Sequence, residues 1–176
     1  LHTTRKNVVF GTGVNATESP DIAFVGEAPG ADEDEAGLPF IGMAGQLLTK
    51  MIGAMGYDRQ SVYICNTVGC RPPNNRNPFD EEQAACAPIM EGQLLAVQPK
   101  VIVALGASAA KALLHVKTPV GQLRNKWHKW NGTDLRVTYH PAYLLRSPNM
   151  KSEAWLDLAA VLEHLGKPVP KYTWTR

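Results

Sequence analysis

Five consecutive apolar residues, Val101-Ile102-Val103-Ala104-Leu105, stand between Pro99 and Gly106. A run this short, rich in β-branched side chains and closed by glycine, reads as a strand buried on both faces. Ile22-Ala23-Phe24-Val25, Val62-Tyr63-Ile64 and Leu135-Arg136-Val137-Thr138-Tyr139 read the same way. Helical patterns lie between them. Leu47, Leu48, Met51, Ile52 and Met55 fall on one face of a helix over 44–55, with Gly56 to close it. Asp80-Glu81-Glu82 reads as an N-cap and acidic first turn of a helix running through Cys86 to about Val97. An Ala-rich helix is expected over 109–114 and an amphipathic one over 154–165, while Val8-Val9-Phe10 suggests a short edge strand. The alternation predicts an α/β fold: a four-stranded, mostly parallel sheet flanked by helices on both faces. The strand-end loops then gather at one edge, bringing Glu27, Asn66, Gly106 and His140 together.

A chain of 176 residues fits one domain spanning 1–176 and is long enough to bury a sizeable core. No apolar run is long enough for a transmembrane helix, and no secretory segment is visible, so no membrane partner is expected. The net charge of +2 neither requires nor excludes a nucleic-acid partner. Its distribution is uneven: acidic residues gather at 27–35 and 80–82, and basic ones between Lys100 and Arg146. Cys65, Cys70 and Cys86 make no disulfide framework and point to a reducing compartment. They are buried or free thiols, or metal ligands whose partners lie elsewhere. The first residue is Leu rather than Met, so the natural chain is expected to begin further upstream.

Two loops carry the candidate chemistry. The first strand runs into a long loop, 26–42, with Asp32, Glu33 and Asp34 in succession. A loop of this length inside a compact domain is usually functional. Its carboxylates either cap the next helix in solvent or serve a site. The second loop, Tyr139-His140-Pro141-Ala142-Tyr143-Leu144-Leu145-Arg146, places a histidine at a strand's end.

Four segments in order resemble the family 4 uracil-DNA glycosylases, the iron-sulfur enzymes of bacteria and archaea. They are Gly26-Glu27-Ala28-Pro29-Gly30, Gly37-Leu38-Pro39-Phe40-Ile41-Gly42, Asn66-Thr67-Val68-Gly69-Cys70-Arg71-Pro72-Pro73 and His140-Pro141-Ala142-Tyr143-Leu144-Leu145-Arg146. The likeness runs from residue 1 to about 165. It implies a glycosylase fold and hydrolysis of the N-glycosidic bond of uracil in DNA, single- or double-stranded, by a cytoplasmic, nucleoid-associated prokaryotic monomer. It assigns Gly26, Ala28, Phe40 and Asn66 to the base pocket. Phe40 is the stacking platform, and the Asn66 amide reads the base edge. His140 is the catalytic electrophile aimed at uracil O2. Ala28 stands where the best-known uracil glycosylases carry an aspartate beside the attacking water. Family 4 members commonly have Ala or Gly there, so the water's partner stays open among backbone carbonyls, Glu27 and Glu33, with Glu27 also a pocket-wall residue. Leu144, Leu145 and Arg146 resemble a duplex-probing wedge and phosphate contact, and Gly106-Ala107-Ser108 offers N–H groups and the Ser108 hydroxyl to a phosphate. The family holds a 4Fe-4S cluster with four cysteines; Cys70 and Cys86 match two, and the other two are expected upstream of Leu1, unless this chain lacks the cluster.

Three rival readings remain. A binding protein on the same scaffold would retain uracil-DNA, but the Arg-rich insertion that marks such relatives is absent after Gly42. A recruiting module would bind DNA polymerase or a repair partner and leave the pocket idle. A nucleotide-binding hydrolase would need a Gly-x4-Gly-Lys-Ser/Thr loop, which is missing.

Overall fold

The computed structural model describes residues 1, 3–14 and 19–172. Strand β1 (Ile22–Gly26), β2 (Tyr63–Asn66), β3 (Val101–Leu105), β4 (Trp127–Trp130) and β5 (Thr133–Thr138) form one sheet in the order β2-β1-β3-β5-β4. The four expected strands are parallel to one another, and β4 adds a fifth, antiparallel to β5. This corrects the count of four. The missed strand, Trp-His-Lys-Trp, is largely exposed and so lacks an apolar run. Its hairpin signal was present: Asn131 and Gly132 take φ 45° and 85°, the left-handed pair of a tight two-residue turn. Residues 8–10 are not an edge strand; the N-terminal segment meets the sheet through a single Thr12–Ile64 bridge and a Val9 N–H bond to the Gly69 carbonyl.

Side-chain alternation along the strands builds two cores. Ile22, Phe24, Val101, Val103 and Leu105 face helices α2 (Met43–Ala54), α6 (Pro141–Arg146) and α7 (Lys151–His164). Ala23, Val25, Ile102, Ala104, Leu135 and Val137 face α3 (Asp80–Val97), α4 (Gly106–Leu114) and the short α5 (Val120–Leu123). Every residue of β1 and β3 is buried, as their unbroken apolar runs require. On β5 the residues facing α7 are polar. Arg124, Arg136 and Thr138 all bond Asp157, which is fully buried.

Helix boundaries shift where local chemistry outweighs pattern. The N-cap of α3 is Phe79, not Asp80, because Glu82 reaches back to accept the Phe79 N–H at 2.8 Å. Helix α4 begins at Gly106, not Ala109. The long 26–42 loop contains a six-residue helix, α1 (Ala31–Ala36). Helices α2 and α4, following the adjacent strands β1 and β3, cover opposite faces of the sheet. That reversal opens a crevice at the carboxyl ends of these strands, where α/β proteins bind ligands.

Candidate active site

Gly26, the last residue of β1, pairs with Asn66, the last of β2. A Cβ on Gly26 would lie 2.3 Å from the Phe40 ring and 2.6 Å from Asn66 Oδ1. Only glycine lets an aromatic ring and an amide meet over this strand end. Asn66 is 6% exposed, and its Oδ1 is buried with no hydrogen-bond partner. A buried acceptor left unpaired is costly, so this oxygen has capacity for a hydrogen-bond donor.

His140 is the N-cap of α6, and its Nδ1 accepts the Ala142 N–H at 3.1 Å. In the neutral ring the proton therefore sits on Nε2, which is left to donate. Burial, and secondarily the Arg146 guanidinium, lower its pKa from 6.5 to about 4. The ring is thus neutral at physiological pH. Gly106 takes φ +85°, and a Cβ there would come within 3.0 Å of His140 Cβ. The Phe40 and His140 ring centroids are 5.6 Å apart.

Phe40 is 6% exposed and takes φ 53°, a strained conformation for a bulky residue. Glu33 helps to hold it there. One Glu33 oxygen accepts the Gly30 N–H at 3.0 Å, and the other accepts Ile41 N–H at 2.9 Å and Gly42 N–H at 2.8 Å. Both oxygens thus hold the loop, with Oε2 engaged by a single N–H. Asp34 acts alike, accepting the Lys6 N–H at 2.8 Å while 1% exposed. Glu33 thus caps the helix that follows, as one reading of the acidic run expected, and Asp34 is an internal scaffold, while Asp32 stays exposed.

Glu27 lines the cavity beside Ser108. Burial pushes its pKa up, and the nearby Ser108 hydroxyl partly opposes the shift. Ser108 Oγ is itself buried and makes no well-formed hydrogen bond. It lies in the first turn of α4, on a half-buried residue.

One cavity of about 250 Å³ is lined by Glu27, Ala28, Glu33, Phe40, Asn66 and His140. Gly26 underlies it by letting Phe40 and Asn66 close together. Pro72, Asn75 and Arg76 form a wall that sequence reasoning missed. Asn74 and Asn75 turn the chain there at φ 55° and 53°, a conformation asparagine tolerates. The Asn-Asn pair after two prolines was the available signal. Leu144 is fully buried in the core shared by α2, α6 and α7, which removes it from the wedge; Leu145 (39%) and Arg146 are exposed one and two residues on.

The profile of the uracil DNA glycosylase superfamily matches residues 13–159. The chain belongs to the uracil-DNA glycosylase superfamily. It is 47% identical over 149 residues to the type-4 uracil-DNA glycosylase of Thermotoga maritima, covering 84% of this chain and 76% of that one. It is 44% identical over 167 residues to that of Pyrobaculum aerophilum, covering 90% and 84%. Against that of Archaeoglobus fulgidus it is 41% identical over 179 residues, covering 97% and 88%.

In this glycosylase Cys70 and Cys86 line one further cavity of about 270 Å³, beside Arg5 and behind Asn66 and Thr67. Arg5 Nη1 donates to Cys70 Sγ at 2.9 Å. Among the described residues no third metal-ligating side chain joins them. Cys65 cannot serve: it is buried in the other core, where burial pushes its thiol up to about 12. The two thiols fit half of a cubane's four-cysteine set. Among the described residues no helix is long and apolar enough to cross a membrane.

Proposed function

We propose that this chain removes uracil from DNA by hydrolysing its N-glycosidic bond, leaving an abasic site. The reading rests above all on the unpaired, buried Oδ1 of Asn66 in a base-sized slot beside a neutral histidine.

The target nucleotide leaves the stack and its base enters the cavity. Phe40 supplies the platform, and base stacking of this kind is worth about 1–3 kcal/mol. Asn66 Oδ1 accepts uracil N3–H, and the amide N–H donates to O4. Cytosine presents an acceptor and a donor at those two places, so it meets Asn66 with both bonds mismatched. As the C1′–N1 bond breaks, its electron pair passes to the base and negative charge grows on O2. His140 Nε2–H donates to that oxygen in a site largely closed to water. Being uncharged, the imidazole incurs little desolvation cost before the reaction begins. The sugar becomes oxocarbenium-like, and water forms the new bond to C1′. Glu27, its pKa raised by burial, orients that water and takes its proton. At the mouth, Leu145 fills the vacated stack and Arg146 meets a phosphate.

Cys70 and Cys86 would supply two ligands of a 4Fe-4S cluster. Its contribution would be structural, through the loop that joins Cys70 to Asn75 and Arg76. The protein acts as a cytoplasmic monomer.

Uracil release from a labelled oligonucleotide tests the function. Wild type should turn over many times. Asn66→Asp should lose about 10- to 100-fold in kcat/KM, since a carboxylate cannot donate to O4 and its charge opposes the departing anion. Stoichiometric retention of DNA without release, or an Asn66→Asp enzyme as active as wild type, would refute it.

A further inference from the structure

The strained turn at Phe40 needs an explanation that the cavity itself does not give. A bulky residue at φ 53° persists only where its surroundings over-determine it. On the C-terminal side, Glu33 holds the Ile41 and Gly42 N–H groups. On the N-terminal side, the Pro39 carbonyl accepts from Arg59 Nη2 at 2.6 Å. Arg59 comes from the turn before β2 (59–61) and does not line the cavity. Its other arm donates to Thr49 Oγ1 at 3.0 Å, and that hydroxyl donates to the Gly45 carbonyl at 3.0 Å. Gly45 is the residue that gives Phe40 room, since a Cβ there would sit 1.9 Å from the Phe40 carbonyl.

We propose that Arg59 is a positioning residue for the base platform. By gripping the Pro39 carbonyl and the Thr49–Gly45 link together, it holds the Phe40 ring over Gly26 and so sets the affinity of the pocket for uracil. The contact is charge-assisted and half-buried, which makes it stronger than a neutral bond. The nearby Glu33 carboxylate counters the burial of the guanidinium, so the two clamps also support each other electrostatically. The proposal rests on Phe40 being the uracil platform.

The test is a double-mutant cycle between Arg59→Met and Phe40→Ala. The readouts are KM and kcat on a uracil oligonucleotide, the inhibition constant of free uracil, and the melting temperature. Arg59→Met should raise KM and the uracil inhibition constant about tenfold, equivalent to about 1.4 kcal/mol. It should leave kcat within about threefold, because lost ground-state binding appears in KM. In the Phe40→Ala background the same substitution should change nothing further. Arg59→Lys keeps a cationic donor and should recover most of the affinity; it carries the comparison if Arg59→Met does not fold. Unchanged uracil affinity in both Arg59 variants overturns the proposal. So does an equal loss with Phe40 already removed, which would make Arg59 a general stabiliser. If Phe40→Ala itself leaves uracil affinity intact, the platform reading fails along with it.

Discussion

At the scale of single residues, the site depends on atoms left without partners. Asn66 Oδ1 is buried and unpaired, while His140 Nδ1 is occupied by a backbone N–H, which leaves Nε2 as the ring's donor. Their meeting at one strand-end edge was legible in the sequence, since each residue ends or follows a strand. The tautomer and the lowered pKa of His140 were not, because they depend on burial and on the α6 N-terminus. They lead to a pH prediction. The folded-state pKa, about 4, lies below the unfolded value of 6.5. Between those pH values the unfolded chain binds the proton and the folded one does not, so His140 costs stability increasingly as pH falls from 6.5 to 4. Acid unfolding of His140→Gln should show a shallower loss across that window than wild type. Its kcat at neutral pH should drop by about 10²- to 10³-fold, the scale for removing one donor to a developing oxyanion. A mutant with wild-type kcat would exclude the donor role. Glu33 differs. Its place in an acidic run left its role open, and three backbone N–H bonds tie it to loop geometry.

At the scale of elements, the parallel strands were readable because each is a short apolar run buried on both faces. Strand β4 escaped because it lies at the sheet edge with alternate residues in solvent. Helix α6 is the more instructive case. As a linear motif, Leu144-Leu145-Arg146 invites one shared role. As a helix, residues one apart point to different sides. Leu144 turns inward against α2 and α7, while Leu145 and Arg146 turn out to solvent. Leu144→Ala should therefore destabilise the fold by about 2–5 kcal/mol, as core truncations do, readable by denaturant unfolding. Leu145→Ala should leave stability within about 0.5 kcal/mol but weaken uracil-DNA binding. Reversed outcomes would mean that α6 turns Leu145, rather than Leu144, toward the core. Likewise Arg59 and Gly45 act on Phe40 from outside the cavity, and no local pattern in the sequence links positions so far apart.

At the scale of the whole molecule, β1 and β3 run parallel with their following helices on opposite faces, which gathers the strand-end site groups at one edge. Strand order cannot be read from strand identity, yet the alternation of strand and helix was enough to predict which ends would meet. The three cysteines divide along the same architecture. Cys65 faces a core, and Cys70 and Cys86 share a cavity behind the pocket. In iron-loaded protein, Cys70→Ser or Cys86→Ser should lower bound iron and visible absorbance, whereas Cys65→Ser should not. Iron content indifferent to all three would rule out a cluster held by these thiols. A crystal structure with free uracil bound is the most direct test of the uracil slot. The ring should stack against Phe40, with N3 within about 3.2 Å of Asn66 Oδ1 and O2 equally close to His140 Nε2. Uracil bound outside this slot, or inside it with neither contact formed, would contradict the assignment.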